Sequence, residues 1–552
     1  MLSNISNVAC LISLASQFSW SPVTTSRWCY EEPQKIPASY DTPTNRDGSA
    51  QLGKERKISG SIGLGNYLDL MYTVPIKLGE TMIPLHLDTG SSDLWVVSDK
   101  CTENACQGAQ VTRYPNDSFL SAEIDLDLYY GDSTTGTYAS GLVGLETVSV
   151  AGVTMAKQPF ALIDDTNNHI VGFNAAGIFG LSFPSASRIQ EELAVKTGPL
   201  VHTDHFLQTT DANAPLLSRL AMSGALESPM FTIQLQRGAL DISGHGALTI
   251  GRLPDGIDNS SLTWVPVRRY AAEEGGLPSS SFAPQEVYPY RWEVDIDGVY
   301  LDGERLADSA IPAHDVDSNR LSALIDTGNS VLRGPADVVT NILSLVSSSY
   351  DPQAFNPVAS LPCNMSRSLA FKIGGKMFPI DPRDFISQLE ANNTHTCQAD
   401  NIVPTDSPTI GSLYRWSLGT PLFRSNIVAF YYGNLTHPSQ DPPRIGFLST
   451  VPDNADKLIQ DAIRNATLNG GNFPYAVQPA PTELAAVQPH TVVSPAGEYI
   501  PDPQSPPNHT SQDTQSSAIL VAIKKSNAGF LNSWKPMLTL LLESIILLVC
   551  RL

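Results

Sequence analysis

Leu85-His86-Leu87-Asp88-Thr89-Gly90-Ser91-Ser92 decides how this chain folds, because it returns as Ala323-Leu324-Ile325-Asp326-Thr327-Gly328-Asn329-Ser330. Each copy runs an apolar strand into Asp-Thr-Gly and then a polar pair. One such triplet is a turn that ends a strand, expected by chance about once in several thousand tripeptides. Two copies in matched apolar contexts point to two related lobes, each presenting one carboxylate. Gly90 and Gly328 permit the tight turns that push each aspartate outward. Thr89 and Thr327 supply hydroxyls able to lock the two loops together.

Such a pair has a specific chemical use. Peptide hydrolysis needs an activated water, a proton for the carbonyl oxygen and a proton for the leaving nitrogen. Two apposed carboxylates can serve all three needs if they share one proton. Like charges that close do not both ionise readily, so one member is charged and the other protonated. Asp88 and Asp326 are therefore the candidate catalytic residues.

Around this repeat, from about 65 to 450, the chain reads as short strands broken by Gly, Pro, Asn and Asp, for example 72–78, 83–87, 124–130 and 142–150. Helical pattern is scarce; 336–346 and 382–389 are the best stretches, the second with Asp381 as N-cap before a proline. The expectation is a mostly-β body. Residues 453–464 read as a short amphipathic helix, and 471–517 are rich in Pro, Gln, Ser and Thr, as in an extended linker.

Composition narrows the function. The formal net charge is −21, a field that repels phosphate backbones and argues against nucleic acid as a partner. Self-repulsion of that size eases as carboxylates protonate, which suits acidic surroundings. No zinc-type Cys/His spacing, no H-E-x-x-H and no G-x-S-x-G occurs, so neither a metal, a cofactor nor a serine nucleophile is expected. Asn-x-Ser/Thr triplets begin at Asn116, Asn259, Asn364, Asn392, Asn434, Asn465 and Asn508, and four of seven cysteines fall in two close pairs. Together they favour an oxidising, glycosylating route. Residues 8–16 are apolar enough for a signal core. Residues 537–549 are apolar but short for a membrane span, with Asn527, Ala528 and Gly529 upstream, the layout of a GPI attachment signal with Asn527 as the attachment candidate.

The chain resembles the pepsin-like aspartic proteases, particularly secreted fungal members, in order from about 66 to 450. The resemblance rests on Asn66-Tyr67-Leu68-Asp69, on Asp88 through Val96, on Tyr130-Gly131-Asp132-Ser133, on Gly177-Ile178-Phe179-Gly180-Leu181, on Arg291-Trp292-Glu293-Val294, on Asp326 through Ser330, on Leu418 through Arg424 and on Ile445-Gly446-Phe447. It implies a bilobal double β-barrel with a central cleft: an N-terminal lobe at 66–235 and a C-terminal lobe at 236–450. Ahead of them would lie a signal peptide (1–22) and a short pro-segment (23–65), and behind them a stalk (451–526) and the GPI signal or hydrophobic tail (527–552). It implies one disulfide per lobe, Cys101–Cys106 and Cys363–Cys397. Tyr130, Gly131 and Asp132 would form a flap over the cleft, the Tyr130 hydroxyl reaching toward Trp95, with Ile178 in the loop behind. Ser91 would hydrogen-bond Asp88. Asn329 stands where the family has Thr or Ser, and its amide would donate from a different reach.

The implied activity is an acid-optimum endopeptidase, secreted or held at the cell surface, monomeric, acting on proteins and peptides and blocked by pepstatin-type inhibitors. His86, two residues before Asp88, shares its face by strand alternation and would join the wall that receives the P1 side chain. Large apolar P1 residues are expected, with Lys tolerated through Asp132. The pro-segment carries six basic residues (Arg27, Lys35, Arg46, Lys54, Arg56, Lys57) against five acids, too balanced for a strongly basic clamp on the catalytic pair; Arg56-Lys57 is a candidate processing site. The competing reading is a catalytically silent surface binding protein of the same fold.

Overall fold

The structure, a computed structural model, describes residues 57–106, 111–131, 136–197, 203–312, 320–405, 414–481, 491–493 and 499–501. The expected signal peptide, most of the pro-segment, Asp132, Asn527 and the hydrophobic tail lie outside the described residues.

The sequence repeat is a repeat of topology. In the first half, strand Thr81–Asp88 hairpins with Met71–Leu78 and runs parallel to Gly177–Gly180, pairing His86 with Ile178 and Asp88 with Gly180. Gly177–Gly180 lies antiparallel to Leu94–Val97, which runs parallel to Val153–Thr166. In the second half, Ser322–Ile325 runs parallel to Trp416–Leu418, that strand lies antiparallel to Leu332–Pro335, and this one runs parallel to Ile402–Thr405. Both aspartates thus leave the end of a strand buried at every position before them (85–87 and 322–325), which fixes where each carboxylate emerges.

Between the halves lies a six-stranded sheet in the order Gly60–Gly63, Ala247–Ile250, Met230–Gln234, Asn426–Tyr431, Arg444–Ser449, Thr263–Pro266. Trp292, fully buried, packs there against Phe183, Phe231, Phe430 and Tyr432. Its indole N–H and the Tyr432 hydroxyl both donate to the Leu181 carbonyl, so the base of the cleft rests on an aromatic platform.

Three boundaries of the sequence reading fall within paired or packed elements. The stretch assigned to a pro-segment ending at 65 contributes Gly60–Gly63 to the central sheet and buries Ile58, Ile62 and Leu64. A lobe boundary at 235 falls between two paired strands of the same sheet. The stretch assigned to a stalk from 451 begins as helix Ala455–Leu468, which buries Ile459, Ala462 and Ala466 against the second lobe. Beyond it, Val477–Gln478 pairs with Gly65–Tyr67. The segment is a strap reaching from one lobe to the sheet of the other, and any linker starts later. Apolar residues three and four apart made its helix legible; its docking site was not.

Helix Ala336–Val346 occurs as expected. The second expected helix is only Pro382–Phe385, capped by the Asp381 carboxylate on the Arg383 N–H. Ile386 turns extended so that Ser387–Gln388 can pair with Thr396–Gln398 beside the Cys363–Cys397 bond. That disulfide and Cys101–Cys106 are both formed. No helix of the described residues is long and apolar enough to cross a membrane.

Candidate active site

The two Asp-Thr-Gly loops meet across the lobes through a reciprocal clamp. The Thr89 hydroxyl donates to the Ile325 carbonyl (2.8 Å) and the Thr327 hydroxyl to the Leu87 carbonyl (2.7 Å). Each threonine oxygen also accepts the backbone N–H of the other threonine at 3.0 Å. Both side chains are fully buried, so these four bonds are shielded from water and fix the loops in register.

Register brings the acids together. A Cβ on Gly90 would stand 2.5 Å from Asp326 Oδ1, and one on Gly328 would stand 2.3 Å from Asp88 Oδ1. Each glycine is therefore the space into which the other lobe's carboxyl projects. The inner oxygens accept from the backbone, Gly90 N–H to Asp88 and Gly328 N–H to Asp326, each at 2.8 Å. The same Cβ on Gly328 would stand 3.1 Å from Asp326 Oδ1, so the two inner oxygens flank one position.

Their surroundings are unequal. Ser91 donates to the outer oxygen of Asp88 at 2.5 Å. Asn329, the matching residue on the other loop, does not serve Asp326: its amide donates to Ser417 Oγ (2.9 Å) and its carbonyl oxygen accepts the Val331 N–H (3.2 Å). An Asn side chain is one bond longer than Ser and reaches past the carboxyl to the neighbouring strand. The amide does donate from a different reach, to Ser417 and not to Asp326. Burial, and then the facing Asp88 carboxylate, hold the Asp326 carboxyl well above the usual range, so Asp326 retains a proton.

Tyr130 ends the strand that leads to the expected flap tip. In strand Ser121–Tyr130, Ile124, Leu126 and Leu128 are buried while Asp125, Asp127 and Tyr129 face out. This alternation pins the hairpin with Thr137–Val150 onto the lobe. The fully buried Trp95 indole N–H donates to the Tyr130 hydroxyl at 2.8 Å. Gly131 turns with φ of +91°, the left-handed backbone the tip requires. Ile178 pairs with both His86 and Trp95, bringing all three beside the Asp88 strand.

His86 is buried, and neither ring nitrogen has a hydrogen-bond partner; the ring only approaches the Thr327 backbone. Desolvation lowers its pKa, with the nearby Asp88 charge opposing. It is neutral over a wider pH range than an exposed histidine.

Sequence reasoning missed two contributors. Asp93, within the first motif, accepts from the Ser187 hydroxyl (2.5 Å) and the Arg188 N–H (2.9 Å), capping helix Arg188–Thr197 from another part of the chain. The helix did carry a local cap signal, Ser187 three residues before Gln190, whose N–H donates to the Ser187 hydroxyl at 3.1 Å; what has no local spacing is the contribution from about 95 residues away, that of Asp93. Burial nonetheless raises its pKa to about 6. Ser417, which holds Asn329, was equally silent. Among the described residues no cluster of His, Cys, Asp and Glu could hold a metal ion.

Comparison with known proteins agrees with this geometry. A family model described as eukaryotic aspartyl protease matches residues 71–436. Pepsin A of Sus scrofa is 27% identical over 398 residues, covering 71% of this chain and 87% of its own length. Pepsin A of Bos taurus is 25% identical over 391 residues, 70% of this chain and 88% of its own, and that of Rhinolophus ferrumequinum 24% over 375, 67% and 81%. The matched span contains both Asp-Thr-Gly loops, the flap and the strands that clamp them, and the chain belongs to the eukaryotic aspartyl protease family.

Proposed function

We propose that the protein is an active aspartic endopeptidase, working in acid, that cleaves peptide bonds with a water held between Asp88 and Asp326. The observation that carries this reading is the mutual fit of each carboxyl into the other loop's glycine, which leaves the pair close enough to share one proton. Asp88, with donors from Ser91 and Gly90, takes a proton from the water as the hydroxyl adds to the scissile carbonyl carbon. Asp326 gives its proton to the carbonyl oxygen. When the C–N bond breaks, Asp88 returns a proton to the leaving nitrogen and Asp326 regains one from the diol. Tyr130 over the cleft excludes bulk water during these steps.

His86, Ile178 and Tyr130 support a P1 site for large side chains. Lys at P1 would depend on Asp132, which lies outside the described residues. Paired cysteines and the Asn-x-Ser/Thr triplets support a secreted or surface-held monomer, with the GPI signal at 527–552 as the proposed anchor. The second reading, a silent binding protein, has one observation in its favour: Asn329 turns from Asp326 to Ser417. Peptide cleavage measured from pH 3 to 7, with and without pepstatin, separates the two. Activity should appear on the acid side, vanish with pepstatin, and fall at least about 10²–10⁴-fold in Asp88→Asn and Asp326→Asn. Pepstatin binding without turnover in the wild type would establish the silent reading.

A further inference from the structure

The asparagine triplets are a motif of the sequence that catalysis leaves unused, and the structure gathers three of them. Asn364, Asn392 and Asn465 are exposed and lie along one element, the strap helix Ala455–Leu468. At its first turn, Ser366, the hydroxyl residue of the first triplet, donates to Asp456. In its middle, Gln460 donates to the Asn364 carbonyl at 3.0 Å. In its last turn, the hydroxyls of Thr394 and Thr467 meet at 3.0 Å, and these are the third residues of the Asn392 and Asn465 triplets. Fourteen residues of helix span about 21 Å, so all three asparagines crowd one flank of the second lobe.

Among the described residues, no hydrogen bond ties Asn116, Asn259 or Asn434 to this helix. Asn434 is half-buried, its side-chain oxygen accepting from Thr436 N–H and Oγ and from His437 N–H, a closed local turn. Asn116 is half-buried, and Asn259 holds the Trp264 indole N–H at 3.1 Å. Asn364 and Asn465 make no side-chain hydrogen bond among the described residues, and the side chain of Asn392, like that of Asn259, is held only through its oxygen, by Asn472 Nδ2 (2.8 Å). The carboxamide nitrogen that would carry a sugar is unencumbered at all three.

We propose that Asn364, Asn392 and Asn465 carry N-linked oligosaccharides that together cover the strap helix. This rests on the secretory reading above. In the transfer, each Asn Nδ2 attacks the anomeric carbon of a lipid-diphosphate-linked oligosaccharide. A C–N bond forms, the C–O bond to the diphosphate breaks, the lipid diphosphate leaves, and Nδ2 loses one proton to a base. The strap lies beyond the span shared with the family and is joined to the body by the buried face of its helix and by short strand pairing at Val477–Gln478. Its exposed surface, Leu468 included at 82%, is a cleavable face on a molecule that works among proteases, its own copies included. Carbohydrate on this flank protects the strap and leaves catalysis untouched.

The test is peptide mapping of the full chain secreted from a eukaryotic host, with glycosidase release marking each occupied Asn as Asp. Occupancy at all three supports the proposal. Occupancy confined to Asn116, Asn259 or Asn434 overturns it and leaves the secretory reading standing. No occupancy anywhere also overturns it, whereas a chain that stays inside the cell overturns the secretory reading on which it rests. A second arm treats the folded enzyme with the glycosidase and follows limited proteolysis beside the N364Q/N392Q/N465Q variant. Cuts within 453–481 should come faster in both, with kcat/KM on a short peptide unchanged; equal cutting rates would remove the protective role.

Discussion

The glycines of the two loops are as exacting as the aspartates. Asp88 and Asp326 could be named from sequence because the motif repeats, yet the reason for Gly90 lies in the opposite lobe. A methyl group at Gly90 would sit 2.5 Å from an Asp326 oxygen, a contact that only a shift of the carboxyl or of the loop relieves. The clamp at Thr89 and Thr327 resists loop movement, so the carboxyl must give way. Gly90→Ala should fold, keep most of its thermal stability and lose about 10²-fold or more in kcat/KM, since a displacement near 1 Å at a reacting group costs about that much. A melting curve and peptide kinetics on the same preparation check this. A variant of normal activity would mean that the acids do not need their present spacing. Asn329 shows the limit at this scale: the sequence exposed the departure from Ser or Thr, but its consequence depends on Ser417, 88 residues away.

At the scale of elements, the flap was legible and the strap was not, for one physical reason. The flap strand alternates buried and exposed side chains over ten residues, a local period visible in any sequence. The strap's strand Val477–Gln478 is two residues long with both side chains exposed, and sits in Pro-rich composition that reads as linker. What holds it is the partner strand Gly65–Tyr67, more than 400 residues earlier, about which local pattern is silent. Helix Arg188–Thr197 offered a local cap in Ser187, but the Asp93 carboxylate that holds Ser187 and the Arg188 N–H comes from about 95 residues earlier. The flap's own prediction concerns the Tyr130 hydroxyl. Removing it in Tyr130→Phe strands the fully buried Trp95 N–H, a penalty of about 1–3 kcal/mol for a buried donor left without a partner. That loss falls on the closed flap, so kcat/KM should drop about tenfold at unchanged acid-pair chemistry, equivalent to about 1.4 kcal/mol. The pH profile should keep its shape. A Tyr130→Phe enzyme with wild-type kcat/KM would show that the Trp95 contact does not govern closure.

For the whole molecule the buried acids decide the pH at which the fold is strongest. Burial raises Glu293 to about 7 despite its ion pair with Arg268, and raises Asp93 to about 6. Asp326 moves the same way, through burial and then its Asp88 neighbour. In the unfolded chain these groups return to about 3.9 for Asp and 4.3 for Glu. Each is thus a native-state proton site whose stabilisation is complete below about pH 4 and is lost as pH rises through the folded value. At about 1.4 kcal/mol per unit, Glu293 and Asp93 each account for up to about 3 kcal/mol between pH 4 and 7. His86 works against them: its lowered pKa means that the unfolded state gains the proton first as pH falls below about 6.5, which costs stability in acid. Thermal melts across pH 4–8 should therefore show the midpoint falling toward neutrality. In Glu293→Gln the fall should be shallower, because glutamine has no proton to lose beside Ser322 and Tyr270. In His86→Leu the midpoint should rise more at pH 4 than at pH 7. A wild-type midpoint that climbs from pH 4 to 7 would mean that other carboxylates, ionised and paired in the fold, outweigh these three, and the acid preference of the enzyme would then belong to its catalytic pair alone.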